Sequence, residues 1–342
     1  MRVILLGPQR RPTVDAVVRS LGSDGAIATI TAGWQEREPD DSELSALLGG
    51  RDANLRLYQR WLDVQDRDPE YAADERALAG VLAELQDTYL LRLDFALQAV
   101  YAVQRRGGGW LQAEALAEAV AAVRELDQAH LRHVNGVRGE FFDQLRPHDR
   151  PVIAGHRAAV AAMISEAAAV VVAGGHVNVL ADVLHLFNVA AALNSAGRDS
   201  AAGGSAAGGP ADRGSADRGS AAGGPAAGGP AARPVIAWSA GAMALTNRIV
   251  LFHDRAPQGP GHPEVYGGGL SLLRDVVLLP HARTRLLLDD VPRMAVFARR
   301  FGPARCVLLD SGTRIDIDGG RGWPPGARVL GEDGRVAALV AS

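Results

Sequence analysis

The 342-residue sequence contains no lysine, so all 36 of its basic residues are arginine. Schiff-base enzymes, Ser-Lys hydrolases, protein kinases and Walker-type nucleotidases all use a lysine in their sites. The sequence therefore excludes these classes together. The single cysteine, Cys306, excludes an internal disulfide and a cysteine-based zinc site.

Long hydrophobic runs are also missing. No apolar run approaches the ~18 residues that a membrane span requires. The first apolar stretch, residues 3–6, is too short for a signal peptide and is followed by the polar residues 9–11. The net charge of −3 gives no reason to expect nucleic acid or an anionic membrane as a partner. We therefore expect a cytoplasmic protein.

Short apolar runs are the main pattern that is present. Such runs are typical of strands that are buried on both faces of a parallel sheet. Segments with helical spacing, 12–21 and 178–193, alternate with them. This alternation predicts one α/β domain over 1–342, built on a doubly wound, mostly parallel sheet. The predicted strands are 2–6, 26–31, 167–173, 235–238, 249–252, 276–279 and 306–309.

Two insertions interrupt this alternation. Apolar residues at three and four spacing within 40–150, broken at Gly107-Gly108-Gly109, predict a helical hairpin. The hairpin is a packing element or the contact surface of a homodimer; a lid over an active site is the alternative. Residues 194–233 consist mainly of Gly, Ala, Ser and Pro, a composition that predicts a flexible, disordered surface loop.

The catalytic residue is predicted at Ser239, where the apolar run 235–238 ends and a segment of helix-forming residues begins. A serine on such a strand-to-helix turn is held exposed above the sheet as a nucleophile. Small residues must flank it because the turn brings backbone close to backbone, and Ala237 and Gly241 meet this need. The sequence therefore predicts a nucleophile elbow at Ser239.

The string Ser-Ala-Gly-Ala at 239–242, Asp254, and Leu-Pro-His ending at His281 resemble the S51 serine peptidases, the family of aspartyl dipeptidase and cyanophycinase. The resemblance implies a class I glutamine amidotransferase-like fold. The turn Gly174-Gly175 matches the family's oxyanion-hole turn, and Asp310-Ser311-Gly312-Thr313 echoes its C-terminal string. The resemblance does not extend to 40–150.

The resemblance implies acyl transfer on a small peptide or other amide substrate, without a cofactor. His281 is then the general base that takes the Ser239 proton, and Asp254 orients its imidazole. The backbone amides of Gly175 and Ala240 bind the oxyanion. Two other acids, Glu264 and Asp275, are alternatives to Asp254.

The sequence departs from the family pattern at three positions. Ala237 replaces the usual first glycine of the nucleophile motif, Ser311 replaces a glutamate, and His176 replaces a small or polar residue. The last two positions are expected near the cleft, where a change of residue alters substrate specificity. The two changes also keep open a non-catalytic binding or regulatory module on an amidotransferase-like scaffold.

Further residues in this part of the sequence have two interpretations. The spacing of His253, His262 and His281 matches no zinc ligand set, so no metal is expected. Arg283 and Arg285 bind a substrate carboxylate or are surface charges beside Asp289 and Asp290. A true glutamine amidotransferase is disfavoured because the elbow carries serine rather than cysteine.

Overall fold

The computed structural model describes residues 1–10, 12–194, 233–255, 261–318 and 322–340. The predicted loop 194–233 lies outside these residues, apart from its two ends. The strands in the described part of the chain are β1 (Arg2–Leu6), β2 (Ile27–Ile30), β3 (Asp52–Asn54), β4 (Ala169–Val172), β5 (Val235–Trp238), β6 (Ile249–Leu251), β7 (Glu264–Gly267), β8 (Val276–Pro280), β9 (Arg305–Leu309), β10 (Arg314–Asp318), β11 (Arg328–Leu330) and β12 (Val336–Ala338).

Helices surround these strands. They include α1 (Val14–Ser20), α2 (Ser42–Leu47), α3 (Leu57–Arg67), α4 (Pro69–Arg106), α5 (Trp110–Leu145), α6 (Pro151–Glu166), α7 (Val177–Leu186), α8 (Ala240–Ala244), α9 (Ala282–Arg285) and α10 (Val291–Phe301), together with the 3-10 segments Ala32–Arg37 and Pro147–Asp149. No helix in the described ranges is long and apolar enough to cross a membrane.

The central sheet has six strands in the order β10-β1-β5-β4-β2-β3. All neighbours run parallel except β10, which pairs antiparallel with β1 at the edge. Strands β1, β2, β4 and β5 are almost entirely buried, because β-branched and aliphatic residues cover both of their faces. The predicted α/β class with a mostly parallel sheet is confirmed.

Two smaller sheets adjoin the central one. Strands β12-β11-β9-β8 form a four-stranded sheet, and β6 pairs with β7. Strands β8 and β9 are parallel and in register, with Pro280 opposite Leu309. The residues that follow these strands, His281 and Asp310, therefore emerge side by side at one edge.

The predicted helical hairpin is confirmed as α4 and α5, joined through Gly107 at a positive φ of 59°. The predicted insertion 40–150 also contains α2, β3 and α3. Strand β3 extends the central sheet by pairing with β2, so this part of the predicted insertion contributes a strand to the sheet. This strand was not predicted because Asp52–Asn54 is only three residues long and mostly polar.

The hairpin packs against the body of the molecule. Helix α5 contacts α10 and β7, and its apolar face joins a core with the smaller sheets. Inside this core the guanidinium of Arg300 binds both carboxylate oxygens of Asp127, each at 2.7 Å. The same guanidinium donates to the Tyr89 hydroxyl and to the Pro263 carbonyl. The bonds to Asp127 and Tyr89 thus tie the hairpin to α10.

Candidate active site

Ser239 lies in the turn between β5 and α8 with φ 51° and ψ −125°. This left-handed backbone is unfavourable for a residue other than glycine and costs about 1–3 kcal/mol. Close packing enforces the turn: a Cβ at Gly241 would lie 2.3 Å from the Val172 carbonyl oxygen. The residue two positions after the serine must therefore be glycine, as the elbow prediction required.

His281 follows β8 and also has a positive φ, of 58°. Its Nε2 lies 3.4 Å from the Ser239 Oγ. This separation is at the long end for a hydrogen bond, as is common for catalytic pairs without substrate. The structure brings together the predicted nucleophile and the predicted base, although they are separated by 42 residues along the chain.

The turn Gly174-Gly175 lies directly beside Ser239. A Cβ at Gly174 would come within 2.8 Å of the Ser239 Cβ, and one at Gly175, where φ is 139°, would overlap Gly33. Only glycine fits either position. Among the described residues, the backbone N–H groups of Gly175 and Ala240 donate to no protein acceptor. Both donors predicted for the oxyanion hole are therefore available.

The surroundings of His281 favour its neutral form. Partial burial, and then the positive charges of Arg285 and Arg10, lower the pKa of His281 below its ordinary value of 6.5, while Asp310 acts in the opposite direction. A neutral imidazole at physiological pH can accept the proton of a serine hydroxyl. The electrostatics therefore suit the role predicted for His281.

Asp254 makes no hydrogen bond to His281 in the described residues. It is buried, and its Oδ1 binds the Arg293 guanidinium at 2.6 Å. Its Oδ2 accepts a hydrogen bond from the Leu287 backbone N–H at 3.1 Å. Orientation of His281 by Asp254, as predicted, would require the carboxylate to leave Arg293. The observed contacts are those of an acid that holds the loop after His281 in place.

The two alternative acids are positioned differently. Asp275 precedes β8, whereas His281 follows it, so at 3.3 Å per residue the strand separates them by about 17–20 Å. Glu264 lines the same cleft as His281, but its carboxylate accepts a hydrogen bond from Gln86 at 3.2 Å. Burial raises the pKa of Glu264. Neither acid is hydrogen-bonded to His281.

Asp310 is a further acid near His281, which the sequence prediction did not include. It follows β9 at the position in register with His281, and neighbouring strands are about 4.8 Å apart. Its Oδ1 accepts from the Arg283 backbone N–H at 3.0 Å, and its buried Oδ2 has no hydrogen-bond partner in the described residues. The signal was present, since Asp310 opens the C-terminal string that resembles the S51 motif.

Ser239 opens into a cleft of about 1160 Å³. The floor is formed by the ends of the parallel strands, and helix α4 contributes Leu90 and Leu93 to one wall. Arg10 and Arg285 supply positive charge close to His281. The hairpin is thus part of the cleft wall as well as part of the core.

The remaining predicted residues fall around this cleft. His253, His262 and His281 all line it, but no group of three or more His, Cys, Asp or Glu in the described part of the chain is placed to hold a metal ion. Arg285 lines the cleft, whereas Arg283 lies against Asp310, with 3.7 Å between Nε and Oδ2.

Of the three departures from the family pattern, His176 and Ser311 are exposed, and neither lines the cleft among the described residues. The imidazole of His176 instead caps helix α7 by accepting from the Val179 backbone N–H at 3.5 Å. The histidine thus has a local structural role at the turn that carries Gly175.

Comparisons with known proteins give a distant structural likeness. No family model and no curated protein matches the chain. The chain is similar to a solved structure of a peptidase from an acI-B1 Actinobacterium, with 12% sequence identity and a TM-score of 0.45, over 99% of this chain and 94% of that one. This is a distant structural resemblance to a peptidase, and membership of the S51 family stays a prediction.

Proposed function

We propose that the chain is a serine hydrolase that cleaves a peptide or other amide bond through an acyl-enzyme on Ser239. The observation that carries the proposal is the strained backbone of Ser239 at the end of β5, with the His281 Nε2 at 3.4 Å from its hydroxyl. A strained residue that is held in place by close packing is typical of a functional site.

In the proposed reaction, His281 takes the proton of Ser239 while the serine oxygen attacks the carbonyl carbon of the amide. The resulting imidazolium returns the proton to the leaving amine, and water then hydrolyses the ester. The N–H groups of Gly175 and Ala240 bind the oxyanion, and each such donor contributes about 3 kcal/mol in well-characterised enzymes.

The acidic member of the proposed site is Asp310 or Asp254. The negative charge of Asp310 favours the imidazolium of His281 and acts without any rearrangement. Asp254 can do so only if it releases Arg293. We propose Asp310 as the electrostatic partner of His281 and Asp254 as a residue that positions the loop.

The proposal is tested by labelling the full chain with an alkyl fluorophosphonate and mapping the adduct by mass spectrometry. We expect one adduct, on Ser239, and none in Ser239→Ala, whose circular dichroism should match the original chain. Ser271→Ala is the matched control, because Ser271 also has a positive φ but lies outside the cleft. Its labelling should be unchanged. An adduct on another serine would overturn the proposal.

One observation favours a second function, that of a binding module without catalysis. In the described residues no carboxylate is hydrogen-bonded to His281, so the imidazole lacks the acid that orients it in a complete triad. A binding module should not react with the fluorophosphonate, yet should bind a peptide equally well with Ser239 or with alanine at that position. The same labelling experiment therefore separates the two functions.

A further inference from the structure

A second cavity, of about 540 Å³, lies between helices α3, α4, α5 and α7. Its size is within the range of small-molecule sites. Helix α7 separates it from the Ser239 cleft: Val177 faces the cleft, whereas Asn178 and Val179 face the cavity. The catalytic proposal makes no use of this cavity.

The walls of the cavity are rich in aromatic rings. Phe, Trp and Tyr make up only 5% of the sequence, yet six of them meet here. The rings of Tyr58 and Trp61 are 5.4 Å apart, and those of Tyr71 and Phe141 are 5.9 Å apart. The six rings belong to Tyr58, Trp61, Tyr71, Phe141, Phe142 and Tyr266. Aromatic faces carry negative charge density and attract cations.

A carboxylate without a counter-ion lies among these rings. Glu75 Oε2 accepts hydrogen bonds from Trp61 Nε1 at 2.9 Å and Gln65 Nε2 at 2.6 Å, which are neutral donors. No arginine or histidine forms an ion pair with Glu75 within the described ranges. The other carboxylate of the cavity, Asp182, is already 2.8 Å from Arg138.

Burial of a carboxylate is costly unless a positive charge compensates it. Desolvation raises the pKa of Glu75, and the nearby Asp182 acts in the same direction. A cation in the cavity would favour the ionised carboxylate and would at the same time contact the ring faces. The aromatic rings and the Glu75 carboxylate therefore both favour a cationic ligand.

We propose that this cavity binds an organic cation, an ammonium group attached to an apolar body. The rings hold the apolar body and the charge, and Glu75 supplies the counter-charge. The inference does not depend on hydrolysis at Ser239, because no residue lines both compartments.

Isothermal titration calorimetry of the full chain tests the proposal with a matched pair of probes. Phenyltrimethylammonium carries a positive charge, and tert-butylbenzene has nearly the same shape without it. We expect the cation to bind at least about tenfold more tightly, as a desolvated cation–π site implies. Equal affinity for the two probes, or no binding of the cation, would overturn the proposal.

Glu75→Gln keeps the size of the side chain and removes its charge, and should weaken cation binding about tenfold or more while tert-butylbenzene binding stays constant. Asp87→Asn is the control, because this exposed acid lies on the same helix outside the cavity. Ser239→Ala should bind the cation like the original chain. Unchanged cation binding in Glu75→Gln, or its loss in Ser239→Ala, would contradict the proposal.

A substitution of one aromatic residue tests the same cation site if Glu75→Gln does not fold. Phe142→Leu removes one aromatic face from the partly exposed wall and preserves apolar bulk. It should reduce the preference for the cation over the neutral probe. An unchanged preference would mean that the rings act only as apolar surface, and the cation site would be wrong.

Discussion

The surroundings of Ser239 and those of Arg300 use polar groups in opposite ways. Around Arg300, which is only 2% exposed, the guanidinium bonds to Asp127, Tyr89 and the Pro263 carbonyl. Around Ser239 the backbone is strained, the contact with His281 is long, and two backbone N–H groups have no protein acceptor among the described residues. One region completes its bonds within the chain, and the other leaves them incomplete.

Buried polar groups that stabilise a fold thus differ from those that serve chemistry in whether their hydrogen bonds are completed within the protein. A fully bonded ion pair holds the long hairpin against the sheets and needs nothing from outside. Donors and acceptors beside a cleft that lack partners in the protein are available to bind a substrate. Variants in the first region should change stability without changing reactivity, and variants in the second region should do the reverse.

The largest effect is expected for His281→Ala. Loss of the general base should lower the rate of fluorophosphonate labelling by about 10²–10⁴-fold, because Ser239 then has no proton acceptor. The midpoint of thermal unfolding should stay within about 2 °C, since His281 is only partly buried. Single-exponential labelling kinetics measure the rate. A variant that labels at the original rate would show that His281 is not the base.

In the other region, Arg300→Ala should lower the free energy of unfolding by about 3–5 kcal/mol, because the Asp127 carboxylate is left buried and unpaired. Urea denaturation measures this loss, and Arg305→Ala, an exposed arginine on β9, is the matched control. The folded fraction of Arg300→Ala should still be labelled at Ser239. Stability equal to that of Arg305→Ala would show that the Arg300–Asp127 pair does not stabilise the fold.

Asp254→Asn should lower stability, as Arg300→Ala does, and should leave the reactivity of Ser239 unchanged. Its partner Arg293 loses a buried counter-charge, so the free energy of unfolding should fall by about 3 kcal/mol. The pH dependence of labelling should keep its midpoint. A labelling rate that falls by about 10²-fold or more, with little loss of stability, would instead assign Asp254 to orienting His281.

The smallest effect concerns the pH profile. Labelling requires neutral His281, whose pKa is lowered by burial, Arg285 and Arg10, so activity should persist to a pH below 6.5. Arg285→Gln removes a charge that disfavours the imidazolium, and should move the midpoint of the acid limb to higher pH. Asp310→Asn should move it to lower pH. Shifts of opposite sign would refute these electrostatic assignments.

Much of the fold was predictable because its signals are local. Buried parallel strands such as β1 and β4 consist of continuous aliphatic residues, and the hairpin has helical spacing broken by glycines. Strand β3 was missed because three residues, two of them polar, carry no periodicity. Its place in the sheet is determined by pairing with β2, which the sequence of β3 does not encode.

In the site, the elbow and His281 could be predicted because short motifs and strand ends mark them. The position of Asp310 next to His281 could not, because it depends on which strand ends are neighbours in space. Asp254 has the expected order along the chain, but its partner Arg293 comes from the start of α10. Asp310 lies beside His281 only because β8 and β9 are parallel and in register.

The most direct measurement of the Ser239–His281 pair uses Ser239→Cys. The native Cys306 is 1% exposed and burial raises its pKa to about 12, so the new thiol should be the only one that iodoacetamide modifies. We expect the pH dependence of alkylation to give a thiol pKa well below about 8.5, because a neighbouring His281 stabilises the thiolate. The same measurement in Ser239→Cys with His281→Ala should give a clearly higher thiol pKa, because the neighbouring imidazole is then absent. Equal pKa values in the two variants would contradict the pairing on which the proposed function rests.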